Sequence, residues 1–145
     1  MAQTSPQNLA NHVRRDPLFH YFLLPIYGIS LLVSLGLLVR SPGFRSFFIL
    51  LFVTAVVVTG FKARLYALKV QDRVIRLEER LRLATLLPDS LRPRIPSLSE
   101  SQLIALRFAS DEEIPALVER TLSSNLPAAD IKKAIKSWRP DYWRV

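Results

Sequence analysis

The stretch LFHYFLLPIYGISLLVSLGLLV, residues 18–39, contains no Asp, Glu, Lys or Arg. A second uncharged run, FFILLFVTAVVVTGF, follows at residues 47–61. Only the segment RSPGFRS separates the two runs, and its Pro-Gly pair favours a reversal of the chain. A hydrocarbon core of about 30 Å needs about 20 helical residues. The pattern therefore predicts a transmembrane helical hairpin, with spans at residues 18–39 and 44–61 and a short external turn.

The charges that flank the two spans predict their orientation. Two Arg precede the first span, six Lys or Arg lie in the twenty residues after the second, and the turn has two. This excess places both termini, including the N-terminal segment 1–17, in the cytoplasm. Asp16-Pro17 suits a helix start, with Asp as the N-cap. The first run is longer than the roughly 7–15 apolar residues of a signal peptide, and no A-x-A-like cleavage site follows it.

Both spans contain small and hydroxyl-bearing residues, which let helices approach closely. They would pack the two spans of one hairpin together, or they would form an oligomer seam or a docking face for a partner. These residues are Gly28, Ser30, Ser34, Gly36, Thr54, Thr59 and Gly60.

The net charge of +8 is concentrated beside the spans. Residues 62–82 carry an excess of four positive charges, whereas residues 99–145 are neutral. Anionic lipid headgroups attract basic residues beside a membrane span, by about 1 kcal/mol per residue. A nucleic-acid binder would instead carry its basic footprint on the distal unit. The candidate membrane-surface contacts are Lys62, Arg64, Lys69, Arg73 and Arg76.

Residues 62–87 predict a juxtamembrane helix that continues the second span and stops before Pro88. Small or apolar residues recur at alternating spacings of three and four, which is a heptad pattern. The positions are Gly60, Ala63, Ala67, Val70, Val74, Leu77, Leu81 and Ala84. Val70, Val74, Leu77 and Leu81 form the candidate interaction seam. This seam would be a coiled-coil dimer interface, or the face on which the C-terminal helices fold back.

Residues 88–98 contain three prolines and are predicted to be a semi-rigid linker. The C-terminal helical unit, residues 99–145, should contain three short helices: Gln102–Ala109, a second ending near Ser124, and Ala128–Trp138. Capping boxes are predicted at Ser99 and Ser110. Because so small a unit is marginal alone, it is expected to pack against the seam. Its predicted core comprises Leu103, Leu106, Phe108, Ile114, Leu117, Val118, Leu122, Ile131, Ile135 and Trp138.

The C-terminal tail is rich in aromatic residues, with Trp138, Tyr142 and Trp143 close together. Such a tail would close over the small core. Alternatively, it would anchor the chain to a partner or to the membrane surface, which aromatic residues and Arg both favour.

No pattern of residues predicts catalysis or cofactor binding. The chain has no Cys and only four Gly, none in a phosphate-binding loop. His12, Asp16 and His20 have helical spacing, but Asp16-Pro17 marks a helix start, which argues against a metal site. The acid pairs Glu78-Glu79 and Glu112-Glu113 are expected on solvated helix faces. The sequence therefore offers no catalytic, metal or cofactor residues and no small-molecule substrate.

Four stretches of this chain together resemble a family of uncharacterised bacterial two-pass membrane proteins, a domain of unknown function. The resemblance covers nearly the whole chain. It implies a location in the bacterial cytoplasmic membrane and carries no established activity. The stretches are residues 16–20 (DPLFH), 66–82 (YALKVQDRVIRLEERLR), 102–110 (QLIALRFAS) and 138–145 (WRPDYWRV).

The sequence thus predicts an all-α protein. A transmembrane hairpin continues from its second span into a long cytoplasmic helix, followed by a small bundle of short helices. The expected function is that of a non-enzymatic, membrane-anchored interaction protein, which presents a helical cytoplasmic module to a protein partner or to itself. The alternative is a small accessory subunit of a transporter or other membrane complex.

Overall fold

The structure, a computed structural model, describes residues 7–12 and 15–141. Within these ranges the regular elements are helices, and one isolated antiparallel bridge joins Ala109 to Trp138. The helices are a π-helical segment Leu18–Leu23, α1 (Leu24–Arg40), α2 (Phe44–Leu86), a 3-10 helix Arg92–Ser97, α3 (Glu100–Leu106), α4 (Ile114–Ser124) and α5 (Ala128–Ala134).

The described chain divides into two compact units. The apolar unit comprises residues 15–69, and the packed unit comprises residues 7–12 and 70–141. Helix α2 contributes its first part to the apolar unit and its second part to the packed unit. The all-helical class predicted from the sequence is confirmed.

Two helices of the structure, Leu18–Arg40 and Phe44–Leu86, are long and apolar enough to cross a membrane. In the most apolar stretch of each, only 6% of the residues are buried. The core helix of a soluble domain would be mostly buried, so the apolar side chains need another environment. Asp16 caps the first helix as predicted, because its Oδ1 accepts from the backbone N–H of Leu18 at 3.1 Å and of Phe19 at 3.4 Å.

Side chains on both sides of the turn meet within the apolar unit. Arg64 Nη1 lies 3.2 Å from Asp16 Oδ2, and the Arg64 guanidinium lies over the Phe19 ring, 5.3 Å from its centroid. Phe61 packs edge-to-face on Phe19 and lies against Tyr27. Gly60 leaves the space that the Tyr27 ring occupies: a Cβ at Gly60 would lie 2.8 Å from Tyr27 Cζ. Glycine at this position therefore permits a close contact.

The packed unit is built on a continuous hydrophobic core. Helices α3, α4 and α5 pack on one another and on the C-terminal part of α2. Eight of the predicted core residues are buried, and Leu122 and Trp138 lie partly buried against them. The core also contains Leu83, Leu87, Ile95, Leu98, Ala105 and Ala109.

The linker predicted at residues 88–98 is wrong as a description of structure. Its prolines support the 3-10 helix Arg92–Ser97, whose Ile95 is buried, and Leu98 follows it into the core. A fixed proline φ suits such a tight turn. The segment is therefore part of the packed unit.

The two predicted capping boxes have different outcomes. Ser99 and Gln102 form the predicted box, with reciprocal bonds of 3.2 and 2.8 Å between side chain and backbone. Helix α4 has no side-chain cap, so the box predicted at Ser110 is wrong. The Glu113 carboxylate instead accepts from the backbone N–H groups of Lys136, at 3.2 Å, and Ser137, at 2.9 Å.

The third predicted helix is also shorter than expected, since α5 ends at Ala134 and not at Trp138. Ile135 is extended, and the chain then pairs with residues 108–110, which follow α3. Ser110 N–H donates to Ser137 O at 3.0 Å, and Arg139 N–H donates to Phe108 O at 2.7 Å. The carbonyl of Ser137 and the N–H of Arg139 are therefore paired by these bonds, and they do not need the hydrogen bonds that a longer α5 would supply.

Candidate interaction surface

The predicted seam lies exposed along α2 in the packed unit. Val70, Val74, Leu77 and Leu81 have 64%, 48%, 60% and 63% of their surface accessible. Four large apolar side chains in one row form a contiguous patch, and such patches mark interaction sites. The seam is therefore the candidate functional surface of this unit.

The core of the packed unit uses a different face of α2. Ile75, Glu79 and Leu83 of α2 are buried at intervals of four residues, as is Leu87 directly after the helix, and Leu83 and Leu87 belong to the core. Residues four apart lie above one another on a helix. The expectation that the C-terminal helices fold back on the seam is wrong, because they cover this second row and leave the first exposed.

Arg82 fixes which face of α2 the C-terminal helices cover. Its guanidinium Nη2 donates to Ala109 O at 2.7 Å and to Asp111 Oδ1 at 2.5 Å, and Nη1 donates to Glu79 Oε2 at 3.0 Å. A planar guanidinium can hold several acceptors at once. Arg82 thus ties α2 to the segment that joins α3 to α4.

Glu79 is buried, so its predicted place on a solvated face is wrong. Arg82 contacts its carboxylate, and Arg139 Nη1 lies 3.6 Å from its other oxygen. Burial raises the pKa of Glu79, although the positive charges of Arg82, Arg139 and Arg107 act to lower it. A buried acid in contact with arginines is typical of a structural ion-pair network, which makes Glu79 a structural group of the packed unit.

An open surface beside the seam is formed by one face of α2 alone. Among the described residues, apolar side chains and three arginines line it: Val70, Arg73, Val74, Arg76, Leu77 and Arg80. Apolar area bordered by charge has the composition of a helix interface with a polar rim. This surface offers no cluster of acids or imidazoles for chemistry.

The five predicted membrane-surface contacts separate into two groups. Arg64 pairs with Asp16, and Arg76 pairs with Glu100, so both guanidinium groups already have partners within the chain. The side chains of Lys62, Lys69 and Arg73 are exposed. Only these three remain as candidates for headgroup contact.

The aromatic tail lies partly outside the described residues, since Tyr142 and Trp143 do so. Trp138 is partly buried, and its ring lies 5.1 Å from that of Phe108 and 5.7 Å from that of His12. Trp138 therefore packs over the small core, as one of the two interpretations predicts.

The N-terminal segment joins the packed unit, which sequence reasoning missed. Gln7 Nε2 donates to Asp141 O at 3.1 Å, and Asp141 N–H donates to Gln7 Oε1 at 2.8 Å. His12 packs edge-to-face on Phe108, and its Nε2 lies 3.2 Å from Lys132 Nζ. A polar segment far from its partner in sequence carries no periodic signal that would reveal such a contact.

No metal-binding cluster occurs in residues 7–12 and 15–141: no three His, Asp or Glu side chains come together there in a way that could hold an ion. The buried charged groups Glu79 and Arg107 both have partners of opposite charge, as in the contact between Arg107 Nε and Asp141 Oδ2 at 3.1 Å. The arrangement is suited to holding helices together and to presenting an apolar face.

Comparisons with known proteins give one match. The model of a family described as "Family of unknown function (DUF6526)" matches residues 1–145. No curated protein and no solved structure matches the chain. The match spans the apolar helices, the seam and the packed C-terminal helices alike, and the chain therefore belongs to the DUF6526 family, a family of unknown function.

Proposed function

We propose that this protein is a non-enzymatic, membrane-anchored interaction protein of the bacterial cytoplasmic membrane. Residues 18–39 and 44–61 form a two-span hairpin, and both termini are cytoplasmic. The packed unit then presents the seam to a protein partner or to a second copy. The observation that carries this proposal is the exposed row Val70, Val74, Leu77 and Leu81, in a unit whose core lies on another face of the same helix.

The contacts of the N-terminal segment support the hairpin. Gln7 and His12 belong to the same packed unit as Asp141 and Phe108. Two segments that contact one another lie on the same side of any membrane that the helices between them cross. An even number of spans satisfies this condition, and the distribution of flanking Lys and Arg makes that side the cytoplasm.

The Asp16–Arg64 pair supports the same arrangement within the apolar unit. Asp16 precedes the first apolar run, and Arg64 follows the second. Their contact at 3.2 Å joins the two ends that a hairpin would bring to one membrane surface. The exposed side chains of Lys62 and Lys69, which lie nearest the second span, would then interact with anionic headgroups.

A second candidate function is that of an accessory subunit recognised through its spans. A Cβ added at Gly28 or Gly36 would meet nothing within 4 Å, so these small residues leave open surface on α1. Small residues at a helix surface favour close approach of another helix in a membrane. This candidate places the partner on α1 and not on the seam.

Topology can be tested with single cysteines, because the chain has none of its own. Ser41→Cys lies in the turn, and Ser123→Cys lies on the exposed surface of α4. In intact spheroplasts, a membrane-impermeant maleimide should label the first variant and label the second only after permeabilisation. Labelling of Ser123→Cys in intact cells, or release of the chain by alkaline carbonate, would contradict the proposal.

The partner surface can be tested by placing a photo-crosslinking residue at Leu77 or at Gly36. We expect adducts from Leu77, whose side chain is exposed on the seam, and few from Gly36. Adducts that arise only from Gly36 would favour the accessory-subunit function. The replacement of Glu119, which is exposed on α4, is a matched control for random collisions.

A further inference from the structure

The seam has the register of a two-stranded coiled coil. Val74 and Leu81 occupy a positions, and Val70 and Leu77 occupy d positions, of a heptad that continues to Ala84. We propose that a second copy of this chain covers the seam, with the two α2 helices parallel and in register. This inference rests on the proposed membrane anchoring, because copies inserted with the same topology present α2 in the same direction.

Dimerisation through the seam does not require the packed unit to rearrange. Ile75, Glu79 and Leu83 occupy b, f and c positions of the same heptad, which face away from an a/d interface. All three are buried, and Leu83 belongs to the core that α2 shares with the C-terminal helices. One helix therefore serves two interfaces, one within the chain and one between copies.

Charge complementarity favours a parallel, in-register partner. Arg73 occupies a g position and Glu78 the following e position, and both side chains are exposed. In a parallel dimer a g residue lies beside the e residue of the next heptad in the other helix. Arg73 of one copy would thus pair with Glu78 of the other, twice by symmetry. An antiparallel arrangement would place Arg73 beside Arg80, another g residue, and like charges repel.

The length of the seam explains why the dimer depends on the membrane. Residues 70–84 span about two heptads, or roughly 21 Å at 1.5 Å per residue. So short a coiled coil is marginal in water. Confinement of both copies to one bilayer raises their effective concentration and favours pairing without additional contacts. The dimer should therefore form in membranes and dissociate in dilute detergent.

Disulfide scanning of the full chain in vesicles tests the register. Four variants, Val70→Cys, Val74→Cys, Leu77→Cys and Leu81→Cys, place a thiol on the seam of a cysteine-free chain. Lys69→Cys and Asp72→Cys, at c and f positions, are the matched controls. A parallel in-register dimer brings identical a and d residues within disulfide reach and keeps c and f residues apart. Same-residue disulfides should form at the seam only; their absence there, or equal formation at all six positions, would overturn the proposal.

A charge exchange tests the pairing across the dimer without altering the apolar row. Arg73→Glu should weaken dimerisation in vesicles, measured by energy transfer between labelled copies, by about tenfold, because two ion pairs become two repulsions. Addition of Glu78→Arg should restore it. Failure of the double variant to recover would show that Arg73 does not face Glu78 of the second copy.

The outcomes separate this inference from the proposed function. If the chain remains in the membrane with the stated topology, but the seam thiols form adducts only with another protein, the second copy is not the partner and the interaction function stands. If alkaline carbonate releases the chain from the membrane, the proposed membrane-anchored function and the proposed dimer are both wrong. If Leu77→Glu abolishes energy transfer while the packed unit stays folded, the seam is the dimer interface.

Discussion

Leu81 and Leu83 are two residues apart on α2 and have opposite environments. Leu81 is exposed on the seam, whereas Leu83 has no accessible surface and lies in the core of the packed unit. The sequence assigns both to a leucine-rich helix but does not indicate which of two apolar rows the C-terminal helices cover. The seam has the more regular spacing of the two rows. For this reason the sequence favoured the seam, and not the row that contains Leu83, as the face for the C-terminal helices.

We expect Leu83→Ala to lower the free energy of unfolding of the packed unit by about 2–5 kcal/mol, since it leaves a cavity in a closed core. Leu81→Ala is the matched control and should change it by less than about 0.5 kcal/mol. Trp138 fluorescence reports the transition during denaturation of the full chain in dilute detergent, in a Trp143→Phe background. Equal effects of the two substitutions would contradict the assigned faces.

Glu79 lies one turn from Leu83 on the same buried row. A glutamate in a helix is usually expected to face solvent. The sequence therefore did not predict that Glu79 is buried. Its partners Arg82 and Arg139 are distant in sequence from each other and meet only in the folded unit.

Because burial raises the pKa of Glu79, the folded chain retains its proton at a pH where the unfolded chain has lost it. The contribution of Glu79 to stability should therefore be largest below the ordinary glutamate pKa and fall as the pH rises towards the raised pKa. Unfolding measured across this window for the wild type and Glu79→Gln should show their difference falling with pH. A difference that grows with pH would mean that the arginines outweigh burial. Glu78→Gln, on the exposed face, controls for the loss of one negative charge.

At the scale of elements, local signals predicted some helix boundaries correctly and missed those that tertiary contacts decide. The Asp16 cap, the Ser99 capping box and the stop before Pro88 depend on residues within one or two turns, and all three are confirmed. The end of α5 depends on contacts with Glu113 and Phe108, more than twenty residues away. No local pattern in residues 128–138 contains that information.

In the apolar unit, the Tyr27 ring packs closely against the backbone at Gly60. Gly60→Ala should displace the Tyr27 ring, because the new Cβ would lie 2.8 Å from Tyr27 Cζ. Gly36→Ala, where nothing lies within 4 Å, is the matched control. Spin labels at Leu18 and Lys62, diluted with unlabelled chain in vesicles, should show a longer or broader distance distribution for the first variant only. Recovery by Tyr27→Ala would identify the Tyr27 ring as the cause.

At the scale of the whole molecule, the sequence predicted helical class, the two long apolar helices and most of the small core. These features follow from composition and periodicity, which short windows contain. It did not predict that residues 7–12 and 88–98 belong to the packed unit. Both segments are polar or proline-rich, and only tertiary contacts such as Gln7–Asp141 and the burial of Ile95 decide their place.

The Gln7–Asp141 contact also has a consequence for the order of synthesis. A ribosome makes Gln7 before either apolar helix and makes Asp141 after all the other described residues, so the packed unit closes late. In the proposed hairpin, a chain that inserts only one of its two apolar helices leaves residues 7–12 and the C-terminal helices on opposite sides of the membrane, so it cannot supply His12 to Phe108 and Trp138. Such a chain would keep an incompletely covered core that proteases and chaperones recognise. Insertion of both apolar helices would thus be a precondition of complete folding, and the fold itself would discriminate against chains inserted through a single helix.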